Sequence, residues 1–549
     1  MTRADLSFNL LDDPWIVVLD RDGVERQRSV LEVFEQAHNV AVIGGEVPTQ
    51  GFAVLRLLLA FLHRALDGPR DADQWAAWWE AAELPIDPIR RYAQRVRGRF
   101  ELFDPVAPFF QVADLHTEKG EVSGLEKIVA DVPNGAPLFT TRSPASLTRI
   151  EPSEAARWLV HAHAFDPSGI KSGAVGDANM KKGKGYPIGT GWSGQLGCVY
   201  AHDSDLRKTL LLNLIAHDAT ECASLGAAQD LPPWEREPDG PQGRERPPNG
   251  TVDLYTWQSR RIRLVGDRGG VSGVVLANGD RIQPQNRHGL DPHTAWRYSE
   301  PQSKKLKTDV YMPLTHDPER AVWRGIGALL PSVSGRRGDK SEPQRWLAPG
   351  VLAWVGRLVS EDVLPETYWP GIRVVGAQYG AQSATFSDIV DDALSLSVVL
   401  LRQDHPAAGT AATNAAEDAD KTAVALWRLA ETIAQASGGE PKSGAGDRAR
   451  EQLYAVLNRP YRRWLAALGP DADLAAARMR WQCCVRELVR PIVGELVESA
   501  GPAAWSGRVI GDRHVNVALA EAWFTAALRT ALPLAHSRSE TTTSQEVGV

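Results

Sequence analysis

The sequence predicts an α+β fold: an irregular, mixed α/β globular domain over residues 1–385, a four-helix bundle over 386–535 and a disordered tail over 536–549. Three observations lead there. Up to Thr385, short β-type runs alternate with isolated helical stripes under heavy Pro and Gly punctuation. From Phe386 onward, long Ala- and Leu-rich stretches repeat at helical spacing. Finally, 549 residues that are 43% hydrophobic and 23% charged can bury a sizeable core without staples.

The elements follow in order. Trp15 to Leu19 and Val24 to Arg28 flank Asp20-Arg21-Asp22-Gly23, an Asp-Gly hairpin signal. Ser29 caps a helix carrying Val30, Val33, Phe34 and Ala37. Pro48 opens a stronger helix whose Leu55, Leu58, Leu59 and Leu62 form an apolar stripe. From Glu101 to Thr385 the chain is loop-rich, with strand-like runs at Thr251 to Trp257, Arg261 to Val265, Val274 to Leu276 and Tyr311 to Leu314. Asn278-Gly279, between Val274-Val275-Leu276 and Ile282, predicts a second hairpin. Helical periodicity then covers Asp388 to Gln403, Ala411 to Gln435, Arg448 to Leu468 and Asp473 to Ser499, with a further piece over Val515 to Leu532. Short connections at Gly438-Gly439 and Gly469-Pro470 make antiparallel bundle neighbours. Pro460 and Pro491 are expected to kink or break their helices.

Composition excludes several classes. The four cysteines do not build a disulfide scaffold, and adjacent Cys483 and Cys484 cannot comfortably bridge each other, so a reducing cytoplasm is expected. No export signal is visible, and the most apolar stretch, Phe52 to Leu62, contains Arg56 and is too short to span a bilayer; no membrane role is expected. The formal net charge of −7, from 61 basic and 68 acidic side chains, argues against a free-standing nucleic-acid binder. A nucleic-acid role would then rest on a few placed contacts, with partner proteins neutralising most of the phosphates.

Several constellations are candidates for chemistry. Gly189-Thr190-Gly191-Trp192-Ser193-Gly194 matches the dinucleotide fingerprint but lacks the strand and helix that would aim amides at a pyrophosphate. His161, His163, Asp166, His202-Asp203 and His217-Asp218 are the ingredients of a metal-dependent phosphohydrolase, the alternative reading of the chain. Their spacing matches no compact ligand pattern, and there is no CxxC pair. Asp388, Asp391 and Asp392 share one face if their segment is helical. No cofactor is implied. Phe165 to Gly194 says more: its glycines leave the backbone bare, and Lys171, Lys181, Lys182 and Lys184 surround it with charge suited to phosphate. A second basic zone, Arg260 to Lys307, interleaves Trp257, Trp296 and Tyr298 with Arg and Lys, a pattern suited to nucleic-acid backbones and bases. Arg336-Arg337-Gly338-Asp339-Lys340 is a third.

The opening FNLLDDPWIVV, the helix PTQGFAVLRLLLAFLHRAL, the loop SGIKSG and the segment VVGAQYGAQSATFSDIVDD resemble, in that order, the CasA family, the large subunits of the type I-E CRISPR surveillance complex Cascade. The resemblance covers most of the chain. It implies a non-enzymatic subunit with an α/β domain and a four-helix bundle. Such a subunit sits at the crRNA 5′ end among other Cascade subunits, reads the PAM of double-stranded target DNA from the minor groove, opens the duplex and recruits the helicase–nuclease. It further implies a PAM-reading glycine loop at Pro167 to Gly173, with Ser168, Gly169 and Lys171 at the DNA. Ser168 stands where other members can have another glycine. The implied wedge is Gln382 with Ala381 beside it. The family's lysine-bearing hairpin falls on Val274 to Ile282, where Asn278 and Arg281 are the available substitutes. Phe139, in the loop Asp131 to Arg142, is implied to contact the crRNA 5′ handle. Some members carry a zinc-binding CxxC pair; its absence here implies no structural metal.

Overall fold

Gly23, at φ +81°, supplies the left-handed residue that turns Ile16–Asp20 (β1) antiparallel onto Glu25–Arg28 (β2), with Ile16 opposite Arg28. Val30–Glu35 (α1) starts in a capping box: the Ser29 hydroxyl accepts from the Glu32 amide, and the Glu32 carboxylate accepts from the Ser29 amide. Val40–Ile43 (β3) pairs the other edge of β1. The computed structural model describes residues 7–132, 138, 140–219, 228–334 and 343–536. The chain divides into two units, one of Met1–Arg320, Ser334–Leu364 and Pro370–Ala393, the other of Ala321–Val333, Pro365–Trp369 and Leu394–Val549.

At the centre of the first unit lies Pro48–Leu66 (α2). The sequence predicts a one-sided stripe, but Phe52 to His63 are buried without a break, the signature of a helix packed on all sides. Arg56 is part of this buried face. Its guanidinium donates to both Asp291 oxygens at 3.1 and 2.9 Å and to the Leu254 carbonyl at 3.2 Å. The Trp192 indole donates to Asp291 Oδ2 at 2.6 Å. A buried cation persists only when it is paired and hydrogen-bonded in this way.

Eight further elements position the candidate site. Pro152–Phe165 (α3) packs on α2. Lys171–Ser172 (β4) and Lys184–Gly185 (β5) form a small hairpin. Cys198–His202 (β6) is the edge strand of a three-stranded sheet. Arg260–Asp267 (β7) and Gly270–Asn278 (β8) pair antiparallel, Arg260 opposite Asn278. The sheet of β6 is completed by Gly371–Tyr379 (β9) in the middle and Phe386–Ser395 (β10) at the other edge.

Three expectations are corrected here. Thr251 to Trp257 is not a strand: Thr251–Tyr255 is helical because the distant Asp230 carboxylate accepts from the Val252 and Asp253 amides at 2.9 and 2.8 Å, capping the first turn. The hairpin turn is at Arg268-Gly269, between β7 and β8, rather than at Asn278-Gly279. A Cβ on Gly279 would come within 2.6 Å of the Arg260 amide, so this glycine serves close strand approach. Asp388 to Gln403 is not a helix but β10 followed by a short turn, and the first unit accordingly runs to Ala393 rather than Thr385. Asp391 lies on that strand and receives two bonds from Arg373, both 2.7 Å.

The second unit is built on Ala407–Ala436 (α4), Ala445–Ala466 (α5), Leu474–Glu498 (α6) and Val517–Ala531 (α7). The bundle's fourth long helix is thus the C-terminal piece. Pro460 and Pro491 lie inside continuous helices. Ala412, Ala415, Ala419 and Ala423 let neighbours approach α4 closely, while Tyr461 stacks on Trp323 at 4.5 Å and meets Trp481 edge-on at 5.2 Å. Buried Asp418 accepts from Arg478 and from Gln482 at 2.8 Å. No described helix in either unit is long and apolar enough to cross a membrane.

Burial pulls His63, His161, His163 and His293 in the first unit down to about 3 from the ordinary 6.5. The unfolded chain therefore binds more protons across that window, so stability is full above pH 6.5 and is lost as the pH falls towards 3. Each histidine contributes about 1.4 kcal/mol per pH unit. Denaturant titrations from about pH 7 to about pH 5 should show this steep loss, and His63→Leu should reduce the slope by the share of one proton.

Candidate nucleic-acid interface

The loop Pro167 to Gly173 leaves α3 at Asp166, whose side chain is only 4% exposed. Asp166 Oδ2 accepts from Lys171 Nζ at 2.6 Å and from Arg260 Nε. Burial alone would push this carboxyl up, but Lys171 and Arg260 outweigh it and hold it below the usual carboxylate range. Arg260, fully buried, also donates from Nη2 to the carbonyls of Asp166, Pro167 and Gly189, at 3.1, 3.0 and 2.8 Å. It thereby pins the start of the glycine loop to the segment that follows the β4–β5 hairpin.

A second loop meets the first. Between β9 and β10 the chain makes a tight turn through Ala381–Ser383, closed by the Gly380 amide donating to the Thr385 carbonyl at 3.0 Å. Gln382 and Ser383 are left-handed, at φ +56° and +53°, a conformation that costs a non-glycine residue about 1–3 kcal/mol and persists only where its surroundings enforce it. Ala381 and Gln382 are exposed. The Ser168 amide donates to the Ser383 carbonyl at 2.7 Å, joining the two loops. Behind this joint the Tyr379 hydroxyl donates to the Phe165 carbonyl at 2.6 Å, tying the end of β9 to the end of α3. Burial pushes that phenol well above its ordinary pKa.

The glycines of this region serve different ends. A Cβ at 173 would come within 2.6 Å of the Gly183 carbonyl carbon, and one at 185 within 2.9 Å of Asn278 Nδ2. Gly191 and Gly194 of the fingerprint-like run make room for the end of α3 and for Tyr379, so that run is packing and no nucleotide loop. Gly169 differs. Its φ is not left-handed, and a Cβ there would meet only the Ala384 carbonyl, at an ordinary 3.6 Å. Nothing in the fold requires glycine at 169.

Other predicted residues are placed differently. The structure corrects the expectation of a phosphate-facing Lys171: its side chain is 10% exposed and its charge is engaged by Asp166. Asn278 is also corrected, since it is buried and donates from Nδ2 to the Tyr186 carbonyl at 2.6 Å, holding β8 to the β4–β5 hairpin. Arg281 is exposed, with Nη1 3.4 Å from Glu245 Oε2. In the second basic zone Arg260, Arg261, Trp257 and Trp296 are core residues, and Arg261 pairs with Asp280 at 2.6 Å. Phe139 and the basic run 336–340 lie outside the described residues.

Exposed positive charge sits instead on the β4–β5 hairpin. Lys182 and Gly183, at φ +52° and +69°, form a tight turn at the end of the connection 173–183 that leads into β5, and Lys181 and Lys184 exchange backbone hydrogen bonds of 3.0 and 3.1 Å across it. Lys181, Lys182 and Lys184 are exposed, and no described carboxylate pairs with them. The histidines of the phosphohydrolase reading have separate structural tasks. His161 meets the Thr49 hydroxyl at 2.9 Å, and His163 the Phe110 carbonyl at 2.8 Å. Among the described residues no three His, Cys, Asp or Glu side chains are grouped so as to hold a metal ion.

Known proteins carry the same arrangement of sequence and fold. A family model described as CRISPR-associated protein Cse1 matches residues 9–492. The crystal structure of Thermobifida fusca Cse1 superposes with a TM-score of 0.88 at 45% identity, covering 97% of this chain and 100% of that one. The CRISPR-associated protein CasA/Cse1 of Thermus thermophilus is 33% identical over 337 residues; the match takes in 60% of this chain and spans 61% of that protein's length. A chain of a solved CRISPR RNA-guided surveillance complex shares the fold, with a TM-score of 0.67 at 16% identity over 89% of this chain and 98% of that one. The chain belongs to the Cse1 family of CRISPR-associated proteins.

Proposed function

We propose that this protein is the non-catalytic large subunit of a type I-E CRISPR surveillance complex, one that reads the PAM of double-stranded DNA and starts the R-loop. The observation that carries this reading is Gly169: a residue the fold leaves free to be larger, beside an exposed, left-handed Gln382, with one hydrogen bond joining their loops. The minor groove is about 6 Å wide, and its guanine amino group separates G·C from A·T. A backbone without a side chain fits that space. Gln382 then enters the stack beside the recognised pair, at a cost of about a few kcal/mol per unstacked step, which pairing with the crRNA guide offsets as the seed forms.

Lys181, Lys182 and Lys184 hold the DNA backbone in place of a lysine finger on β8, and Ser168 and Ala381 line the same surface. The remaining assignments rest on family resemblance: Phe139 at the crRNA 5′ handle, partner subunits that neutralise the rest of the nucleic acid, recruitment of the helicase–nuclease, and a cytoplasmic setting. The fold of a chain in a solved surveillance complex supports the assembly.

Three measurements on the assembled complex test the proposal. Gly169→Val should leave the melting temperature within a few degrees of the native protein yet lower PAM-duplex affinity at least tenfold, whereas a glycine needed for folding would show as a lost melting transition. Gln382→Ala should slow R-loop formation more than it weakens initial duplex binding; equal loss of both, or no loss, excludes the wedge. Replacing Lys181, Lys182 and Lys184 together by Ala should flatten the dependence of log affinity on log salt by about 2–3. An unchanged slope means those lysines meet no phosphate.

A further inference from the structure

Beside the wedge loop lies an apolar step that no fold requirement explains. Ile170 is 58% exposed and Tyr186 is 54% exposed. The β4–β5 register sets Lys171 opposite Gly185, so Ile170 and Tyr186 take the next position outward on the two strands. Ile170 follows Gly169 directly, and Ser168 is bonded to Ser383. The Ser168–Ser383 bond and the β4–β5 register thus link the Gln382 loop to Ile170 and Tyr186, and the turn with its three exposed lysines leads directly into β5. The Tyr186 backbone is held by Asn278 through its carbonyl, while the phenol remains in solvent. A fixed backbone bearing an exposed aromatic, with unpaired lysines beyond it, is the combination that binds single-stranded nucleic acid: the aromatic stacks a base and the cations follow the phosphates.

We infer that Tyr186, with Ile170 at the facing position, is the stacking platform for the first DNA base that Gln382 unpairs. The inference rests on the proposed function and adds a ligand to it: one unpaired deoxynucleotide base, received next to the wedge. An opened pair closes again quickly unless its bases find other partners, and stacking on tyrosine supplies one before the guide has paired.

The test uses the assembled complex with its crRNA and target duplexes carrying 2-aminopurine at the first protospacer pair, placed on either strand in separate arms. Tyr186→Ala should slow the opening signal about tenfold, the size expected for losing one base–aromatic stack, and Tyr186→Phe should restore it. With an abasic nucleotide at that position of the stacked strand, the native protein and Tyr186→Ala should open DNA at the same rate. A defect that persists on both abasic strands would mean that Tyr186 acts through the fold and would overturn the inference, as would native opening by Tyr186→Ala. Gln382→Ala measured alongside separates the two ideas. If it opens DNA normally, the wedge reading fails; if it is slow while Tyr186→Ala is normal, only the platform fails. Melting curves of each variant check that the exposed position leaves folding intact.

Discussion

The Asp166 carboxylate organises everything at the candidate interface. It ends α3, lies almost out of contact with water, and is shared by Lys171 and Arg260. Removing one member of such a buried set leaves an uncompensated charge, at a cost of about 3–5 kcal/mol. What the arrangement provides is position. Arg260 arrives from β7 and gathers the carbonyls of Asp166, Pro167 and Gly189, so the mouth of the glycine loop has a single width. Lys171 ties the far side of the same loop to the same carboxylate. A loop made of glycine and serine would otherwise sample many conformations; here its ends are fixed by charge and only its crest is left bare.

A division of labour among cations follows. Residues that look alike in the sequence, all Lys or Arg near glycines, separate into two populations. Arg260, Arg261 and Lys171 are consumed inside by Asp166 and Asp280. Lys181, Lys182 and Lys184 stand on a two-residue turn in solvent. An acidic protein can thus present a small positive surface while Arg260, Arg261 and Lys171 build the frame beneath it.

How far the sequence carried depended on whether the deciding contact was local. The Asp-Gly hairpin, the Ser29 cap and the helices expected over 411–435, 448–468, 473–499 and 515–532 are set by neighbours within a few positions, and each forms where expected. Thr251 to Tyr255 and Asn278-Gly279 depart from their local signals because Asp230 and Arg260, which decide their conformations, are remote in the chain. Asp388 to Ser395 has helix-like composition but takes its place in a sheet beside β9, where Arg373 meets Asp391. Gly169 and Gln382, which the family resemblance singles out, lie on loops joined by a hydrogen bond. The burial of Lys171 and Asn278 was not legible, since nothing in a one-dimensional string distinguishes a lysine facing solvent from one facing a buried carboxylate. The exposed pair Ile170 and Tyr186 carries no signal in the sequence for the same reason. Only the β4–β5 register brings together two positions separated by a long glycine-rich excursion.

The bond from the Ser168 amide to the Ser383 carbonyl has one more implication. If one loop identifies a base pair and the other parts the next, that bond makes the protein a ruler. The offset between the mark that is read and the point of first strand separation is then a fixed length of polypeptide, independent of which guide is loaded, so every target enters in the same frame.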